Sequence, residues 1–244
     1  FESFDSKSRT WKLKDGVVDS SPLSDTPRPG NAKFKKLTAI DPNSTNPYQL
    51  TEADRTVIGN TTPKFSGGFG LNATYKGFDM SMFFNFMYDF DVLNANKIML
   101  TTWADNKENN FLMDIASDKR WRNFDDMGNE IRYSPEVLAE FNKNATMWNP
   151  TSIGRPICMS YAVEDGSFLR LNSATLGYTL PSVWTKKVGL SKVRFYVSGN
   201  NLFTLTGYSG YDPEVNIATG LTPNIDYNRY PRSRTYTFGA QLTF

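Results

Sequence analysis

A switch in hydrophobic parity constrains the fold of this chain more than any other feature. Over residues 65–75 the aromatic and aliphatic side chains occupy odd-numbered positions, with Ser, Gly, Asn and Thr between them. Over residues 78–92 the apolar side chains occupy even-numbered positions instead, with Phe83 and Met87 as exceptions. Alternation at period two predicts β-strands, and a two-residue turn brings its flanking residues to the same side of a hairpin. The switch therefore predicts a hairpin that turns at Lys76-Gly77, where Gly77 supplies a positive φ.

Three further strands are predicted by the same alternation, over residues 167–180, 191–204 and 236–244. In the first of them the early leucines are out of phase with the later apolar positions. A bulge near Arg170–Asn172 would restore the phase. The chain thus reads as all-β, with five strands that each carry one apolar and one small polar face.

Two long stretches have no strand pattern. Residues 1–63 are polar and interrupted by prolines, which predicts a long loop or a small subdomain. Residues 93–160 contain one predicted helix, with Ser134 as its N-cap and Pro135 at its first position. After residue 63, short and long connections alternate along the chain.

These features together favour a transmembrane barrel, in which apolar side chains face lipid and polar ones face the lumen. Short periplasmic turns and long extracellular loops are typical of such barrels. We therefore expect residues 1–63 to be an extracellular region and residues 64–244 to be the last five strands of a barrel, with extracellular loops 93–166 and 207–233. The C-terminus would be periplasmic. Five strands cannot close a barrel, and open edges are costly in lipid, so we expect a fragment of a larger one.

The amino-acid composition excludes several classes of function. The chain has 27 basic and 25 acidic residues, one Cys and no His. This balance gives no electrostatic case for nucleic acid, and the absence of His excludes Ser-His-Asp and Cys-His catalysis within the chain. We predict no catalytic residues, no metal and no cofactor. A soluble secreted all-β binding module and an outer-membrane barrel enzyme are the competing interpretations.

Short motifs spread over about residues 30–244 resemble one family. The chain carries DRTVIGN followed by PKF and GGF, then YKGFDMS, DGSFLRL, TLGYTLP, VRFY with GNNLF, and GYDPE before RTYTFG. Each motif is weak alone, but their common order at sensible spacing is specific. The chain resembles the late barrel of SusC/RagA-like TonB-dependent transporters.

That resemblance implies a large antiparallel barrel of 22 strands with an N-terminal plug, in the outer membrane of a Bacteroidetes-type bacterium. It implies TonB-dependent nutrient uptake of oligosaccharides or peptides. The implied partners are a SusD-like surface lipoprotein, TonB, the barrel assembly machinery and outer-membrane lipid. One departure is visible: the acidic, calcium-loop-like stretch that family members often carry before DRTVIGN is replaced here by residues 39–43 and an insert. No metal is therefore predicted there.

Candidate contact residues follow from these placements. Exposed aromatic side chains in the long loop can stack on sugar rings or anchor a partner, although a small core within the loop itself is the simpler explanation for them. Polar residues near the fourth strand can meet the ligand or the plug, or only line the lumen. The candidates for substrate or partner contact are Trp103, Trp121, Trp148, Arg194, Tyr196 and Asn200. The terminal aromatic Phe244 is the predicted assembly signal, and Cys158 is predicted to be a small buried thiol.

Overall fold

The computed structural model describes residues 1–23, 27–102, 110–116, 118–153, 156–215 and 223–244. They form two compact units, one of Phe1–Ile58 with Ala95–Ala162 and one of Gly59–Asn94 with Val163–Phe244. The strands are β1 (Ser3–Asp5), β2 (Thr10–Lys12), β3 (Phe65–Tyr75), β4 (Phe78–Tyr88), β5 (Asp91–Asn94), β6 (Val163–Asp165), β7 (Phe168–Thr179), β8 (Lys192–Thr206), β9 (Ile225–Asp226) and β10 (Thr235–Thr243). The α-helices are α1 (Ala95–Met99), α2 (Pro135–Phe141) and α3 (Ser182–Thr185), and 3-10 turns cover Glu52–Asp54, Met113–Ile115, Pro150–Ser152, Ser160–Ala162 and Lys186–Val188. None of the helices in these ranges is long and apolar enough to cross a membrane.

The second unit is built on a five-stranded antiparallel sheet, in the order β10-β8-β7-β4-β3. The predicted hairpin is confirmed, because Tyr75 pairs with Phe78 across the two-residue turn. Both turn residues have positive φ, 46° at Lys76 and 91° at Gly77. This is the geometry of a type I′ turn, whose twist matches that of the flanking strands.

Strand register sorts the side chains of this sheet onto two faces. Pairing aligns the alternating positions across all five strands. The apolar face carries Phe65, Phe69, Leu71, Tyr75, Phe78, Met80, Met82, Phe84, Phe86, Leu176, Tyr178, Phe195, Val197, Phe203, Tyr236, Phe238 and Leu242. The polar face carries Ser66, Asn72, Thr74, Asp79, Ser81, Asn85, Arg170, Ser173, Thr175, Arg194, Tyr196, Ser198, Asn200, Thr237 and Gln241, together with the apolar Phe83 and Met87. Much of the apolar face is exposed to solvent in this chain, as expected of a surface that packs against lipid.

The irregularity predicted in β7 is also confirmed. Its register with β4 shifts between the partners of Phe83 and Phe84, and its register with β8 shifts between Leu171 and Ser173. In β8 the corresponding residue Asn201 has a φ of 53°, a left-handed conformation that Asn tolerates. The bulge returns Leu169 and Leu171 to the apolar face.

The strand predicted to run from residue 78 to Val92 ends earlier, at Tyr88. Asp89 has a φ of 59°, which breaks the extended chain. Phe90 and Val92 are consequently buried in a small core with Phe168, Tyr208 and Val215, and they do not continue the apolar face of the sheet. A three-stranded sheet in the order β6-β5-β9 lies beside this core.

The first unit contains the β1–β2 hairpin and its own buried apolar residues, Leu50, Ile98, Ile115, Ile131, Leu138 and Ile153. Asp54, from the DRTVIGN motif, accepts hydrogen bonds from the backbone N–H groups of Leu37, Thr38 and Thr51. These bonds hold the pKa of Asp54 far below its usual range, and the bond from the Thr38 backbone contributes most. The predicted helix α2 is present with Ser134 at the N-cap position, but the Ser134 side chain makes no capping hydrogen bond.

Candidate functional site

One end of the polar face, next to the Lys76-Gly77 turn, carries an ion pair between neighbouring strands. The guanidinium of Arg194 on β8 donates to Asp79 on β4 through Nε at 2.9 Å, and a second nitrogen contacts the other carboxylate oxygen. The Arg194 guanidinium also lies 5.2 Å from the Tyr196 ring centroid, within cation–π range. Two of the contact residues predicted from the sequence are therefore in contact with each other.

Two glycines make room for this cluster. A side chain at Gly177 would place its Cβ 2.6 Å from Asp79 Oδ1 and would also overlap the Arg194 guanidinium. A Cβ at Gly239, on β10, would overlap the Tyr196 ring. The small-residue positions of the alternating pattern thus allow long charged and aromatic side chains to lie flat across the sheet.

Asn200 lies further along β8 on the same polar face, where it is exposed and pairs across strands with Thr235 and Ser173. Its neighbour Asn201 donates from Nδ2 to the backbone oxygen of Ser233 at 3.1 Å. Asn200 is therefore placed on the sheet surface, available to a ligand or to another part of the protein, but it is not part of the Arg194 cluster.

At the opposite end of the polar face, Arg170 on β7 is fully buried, with 2% of its side chain exposed. Its guanidinium is 2.5 Å from Asp212 Oδ1 and 3.7 Å from Glu214 Oε2. Glu214 in turn accepts from Arg232 at 2.6 Å. The DGSFLRL and GYDPE motifs are thereby joined by a buried charge network that spans 42 residues of sequence.

Burial and hydrogen bonding within this network act in opposite directions on the ionisation of Asp212. Burial raises the pKa of Asp212, but the hydrogen bonds from Arg170 and from the Glu214 backbone outweigh it and hold that pKa below its usual range. Buried polar atoms in this region that have no hydrogen-bond partner within the described residues are Arg170 Nε, Glu214 Oε2 and Asn85 Oδ1. Asn85 is the cross-strand neighbour of Arg170. Such groups can hold a polar segment of the chain or a ligand in place, but they include no nucleophile paired with a base.

The tryptophans predicted to contact a ligand or partner are in the first unit. Trp148 donates from Nε1 to the Thr101 backbone oxygen at 3.0 Å, and its ring meets Tyr161 edge-on at 4.8 Å. Trp121 packs directly over Gly30, where any side chain would collide with the ring. Both rings are half-buried in contacts within their own unit. Trp103 lies outside the described residues.

The remaining candidates are placed as follows. Phe244 is exposed at the end of β10, and its backbone oxygen accepts from Ser191 Oγ at 3.3 Å. The prediction of a buried thiol is wrong, because Cys158 is free and exposed in a segment without regular structure. No group of three His, Cys, Asp or Glu side chains in the described ranges is arranged to hold a metal ion.

The sequence reasoning missed Asp79, Arg170 and Asp212 as members of these clusters. A signal was present for two of them: Arg170 lies between two leucines in a strand, and Asp212 lies in a Pro-containing motif. A charged residue at such a position needs a partner when it is buried. Which carboxylate serves each arginine depends on strand register and loop path, neither of which is encoded locally.

Comparison with known proteins identifies the family. No family model matches the chain. It is 35% identical over 202 residues to "TonB-dependent receptor P3" of Formosa agariphila, which covers 80% of this chain and 18% of that protein. It is 38% identical over 88 residues to "TonB-dependent receptor SusC" of Bacteroides thetaiotaomicron, 34% of this chain and 8% of that one. Among solved structures, "Structure of the RagAB peptide transporter" matches with a TM-score of 0.52 at 26% identity, over 75% of this chain and 17% of the other.

The chain spans about a fifth of the length of the relatives it matches. Those relatives are named as receptors and transporters, in agreement with the expectation that this chain is not an enzyme. TonB-dependent receptors are proteins of the bacterial outer membrane. The similarity extends over most of the chain, and the sheet has the antiparallel, two-faced character of a barrel wall. The chain belongs to the SusC/RagA-like TonB-dependent receptors and forms part of their barrel.

Proposed function

We propose that the receptor containing this chain imports oligosaccharides or peptides across the outer membrane, using TonB and a SusD-like surface lipoprotein. The observation that carries the proposal is the two-faced sheet: an exposed apolar face suited to lipid and an opposite face of polar groups and ion pairs suited to a wet lumen. Membership of the receptor family supports uptake as the activity. Similarity to the structure of a peptide transporter supports a peptide as the substrate.

The proposal includes an orientation. The Lys76-Gly77 turn, the connection 181–191 and the C-terminus would face the periplasm, and residues 1–63, 93–166 and 207–233 would be extracellular. The alternation of short and long connections supports this arrangement. Trp121 and Trp148 would then stabilise an extracellular region near the lipoprotein, while Arg194, Tyr196 and Asn200 would line the lumen. Phe244 would be read by the assembly machinery during insertion.

Transport is tested in the bacterium that encodes the receptor. A strain that lacks the full-length receptor is grown on oligosaccharides or on peptides as the limiting nutrient, and is compared with the same strain carrying the receptor gene. We expect loss of growth on one of these nutrient classes only, and equal loss when TonB is absent. Unchanged growth on both classes would contradict the proposed activity. Co-purification of a surface lipoprotein with the receptor tests the partner separately.

Orientation is tested by labelling intact cells with a membrane-impermeant thiol reagent. The exposed Cys158 is first replaced by Ser, and single cysteines are then introduced as Lys143→Cys and Lys187→Cys. We expect the first to react and the second to react only after the cells are opened. The reverse pattern would show that the topology is inverted. It would not affect which side chains are assigned to each face of the sheet.

A further inference from the structure

The connection between β7 and β8 carries an apolar patch that the fold itself does not use. Helix α3 and the 3-10 turn that follows it form one compact segment, residues 182–188. Three of its side chains are largely exposed: Val183 at 69%, Trp184 at 60% and Val188 at 71%. Contiguous exposed apolar side chains of this kind mark interaction sites.

The same segment is basic. Lys186 and Lys187 are exposed within it, and Lys76 and Lys192 are exposed at the turn and strand end beside it. No acidic residue occurs between Pro181 and Ser191. The nearby carboxylate of Asp79 is already paired with Arg194. The patch therefore combines apolar side chains with unneutralised positive charge.

A missing strand does not explain this exposure. In the sheet, β7 and β8 are flanked by β4 and β10, all of which are in this chain. Helix α3 packs against β8, and Val193 at the start of β8 is 6% exposed although its apolar-face neighbour Phe195 is 52% exposed. We infer that α3 covers Val193. The segment therefore lies on the apolar side of the sheet.

The segment is held in a defined conformation. Thr185 is buried and donates from its hydroxyl to the Ser182 backbone oxygen at 3.3 Å. Gly189 ends the segment with a φ of 75°, and the Leu190 N–H returns to the Thr185 backbone oxygen at 3.1 Å. The exposed side chains are thus presented by a fixed turn.

The apolar face next to this segment ends in a row of aromatic side chains. Phe78 and Tyr178 pack with ring centroids 4.5 Å apart, and Tyr75 and Phe195 lie on the same face near the turn end. Aromatic side chains prefer the boundary between hydrocarbon and headgroups, where lysine side chains can also reach the phosphates. The patch is therefore continuous with a surface suited to the edge of a bilayer.

We propose that residues 182–188 form an interfacial anchor, with Val183, Trp184 and Val188 inserted at the headgroup boundary and the lysines bound to the phosphates of anionic phospholipids. The anchor requires the barrel to lie in a membrane, but it does not depend on which substrate is carried. It would fix the depth and tilt of the β7–β8 pair, and with them the position of Arg194 on the polar face.

The test uses the full-length receptor with Cys158→Ser, reconstituted in vesicles of phosphatidylethanolamine and phosphatidylglycerol. Nitroxide labels are attached at Trp184→Cys or Val188→Cys, with Lys143→Cys as the control outside the patch. We expect the first two labels to be accessible to oxygen and protected from a water-soluble nickel complex, and the control to show the reverse. Heat modifiability of each variant shows whether the barrel has formed.

A label at Trp184 as accessible to nickel as the control, in a formed barrel, would overturn the anchor. A label shielded from both reagents would also overturn it, because protein would then cover the patch. The lysines are tested by lipid co-purification of Lys186→Gln/Lys187→Gln, with Lys33→Gln/Lys35→Gln as the matched control. We expect the enrichment of phosphatidylglycerol over phosphatidylethanolamine to fall about tenfold in the first pair only. Unchanged enrichment would remove the phosphate contacts from the proposal. None of these outcomes bears on uptake.

Discussion

Two arginines lie on the same polar face, near opposite ends of the sheet, and they differ in what covers them. Arg170 is 2% exposed, beneath a loop that supplies Asp212 and the fully buried Pro213. Arg194 is 20% exposed and its partner Asp79 is 34% exposed. The chain closes one end of the face with its own residues and leaves the other end open to solvent or to protein outside this segment.

The difference in burial changes what each pair does. Removing one partner of a buried pair leaves an uncompensated charge in a poorly solvated site, whereas water rescreens an exposed charge. We therefore expect the Arg170 network to determine how the loop at residues 207–215 is held. If the polar face lines the lumen as proposed, the Arg194 pair should matter more for the charge it presents there than for stability.

The largest effect is expected at the buried end. Arg170→Met keeps much of the side-chain volume but leaves Asp212 buried without its cation, and should destabilise the receptor by about 3–5 kcal/mol. The measurement is thermal unfolding of the detergent-solubilised full-length receptor, followed by heat modifiability. If Arg170→Met and Arg194→Met cost the same, the distinction between the two ends is wrong.

A smaller effect is expected from crowding the open end. Gly239→Val would force the Tyr196 ring away from the sheet, and overpacking of this kind costs about 1–3 kcal/mol. Gly207→Val is the matched control, because a Cβ at that position meets no atom within 4 Å. Equal stability of the two variants would show that the ring is free to move aside.

Breaking the Arg194–Asp79 ion pair at the open end should lower the stability of the receptor by a still smaller amount. Arg194→Met removes the partner of Asp79 at a partly exposed site that water can reach, so we expect a smaller loss of stability than for the two variants above. The larger consequence would be functional, since this variant removes a charge from the face that we propose lines the lumen. Uptake by cells with normal receptor levels is the measurement, and an uptake rate equal to wild type would remove Arg194 from the candidate contacts.

The smallest effect is the pH dependence that Asp212 contributes at the closed end. The pKa of folded Asp212 is lowered, so its contribution to stability is present in full above the ordinary value of about 4 and is lost as pH falls through the folded pKa. Unfolding midpoints measured between pH 6 and pH 3 should fall more for the wild type than for Asp212→Asn. Parallel curves for the two proteins would show that Asp212 is not the titrating group.

Much of the sheet followed from local pattern. The parity switch located the turn at Lys76-Gly77, and the phase change in β7 located the bulge, because side-chain alternation in a strand is independent of its neighbours. The same reasoning failed after Tyr88, where Phe90 and Val92 keep the alternation but turn into a core. A positive φ at Asp89 ends the strand, and nothing in the alternation reports it. Cys158 was misplaced for a related reason, since the usual burial of Cys says little about a segment without regular structure.

The sequence by itself determined the strand pattern, the two-faced character of the sheet and the motifs that place the chain among the TonB-dependent receptors. These depend on periodicity and on short local signals. Only the tertiary structure decided that Arg170 meets Asp212 and Arg194 meets Asp79, that Gly239 makes room for Tyr196, and that Trp184 is left exposed. Such contacts join residues far apart in sequence, and their identity depends on register, bulges and loop paths that no single segment encodes.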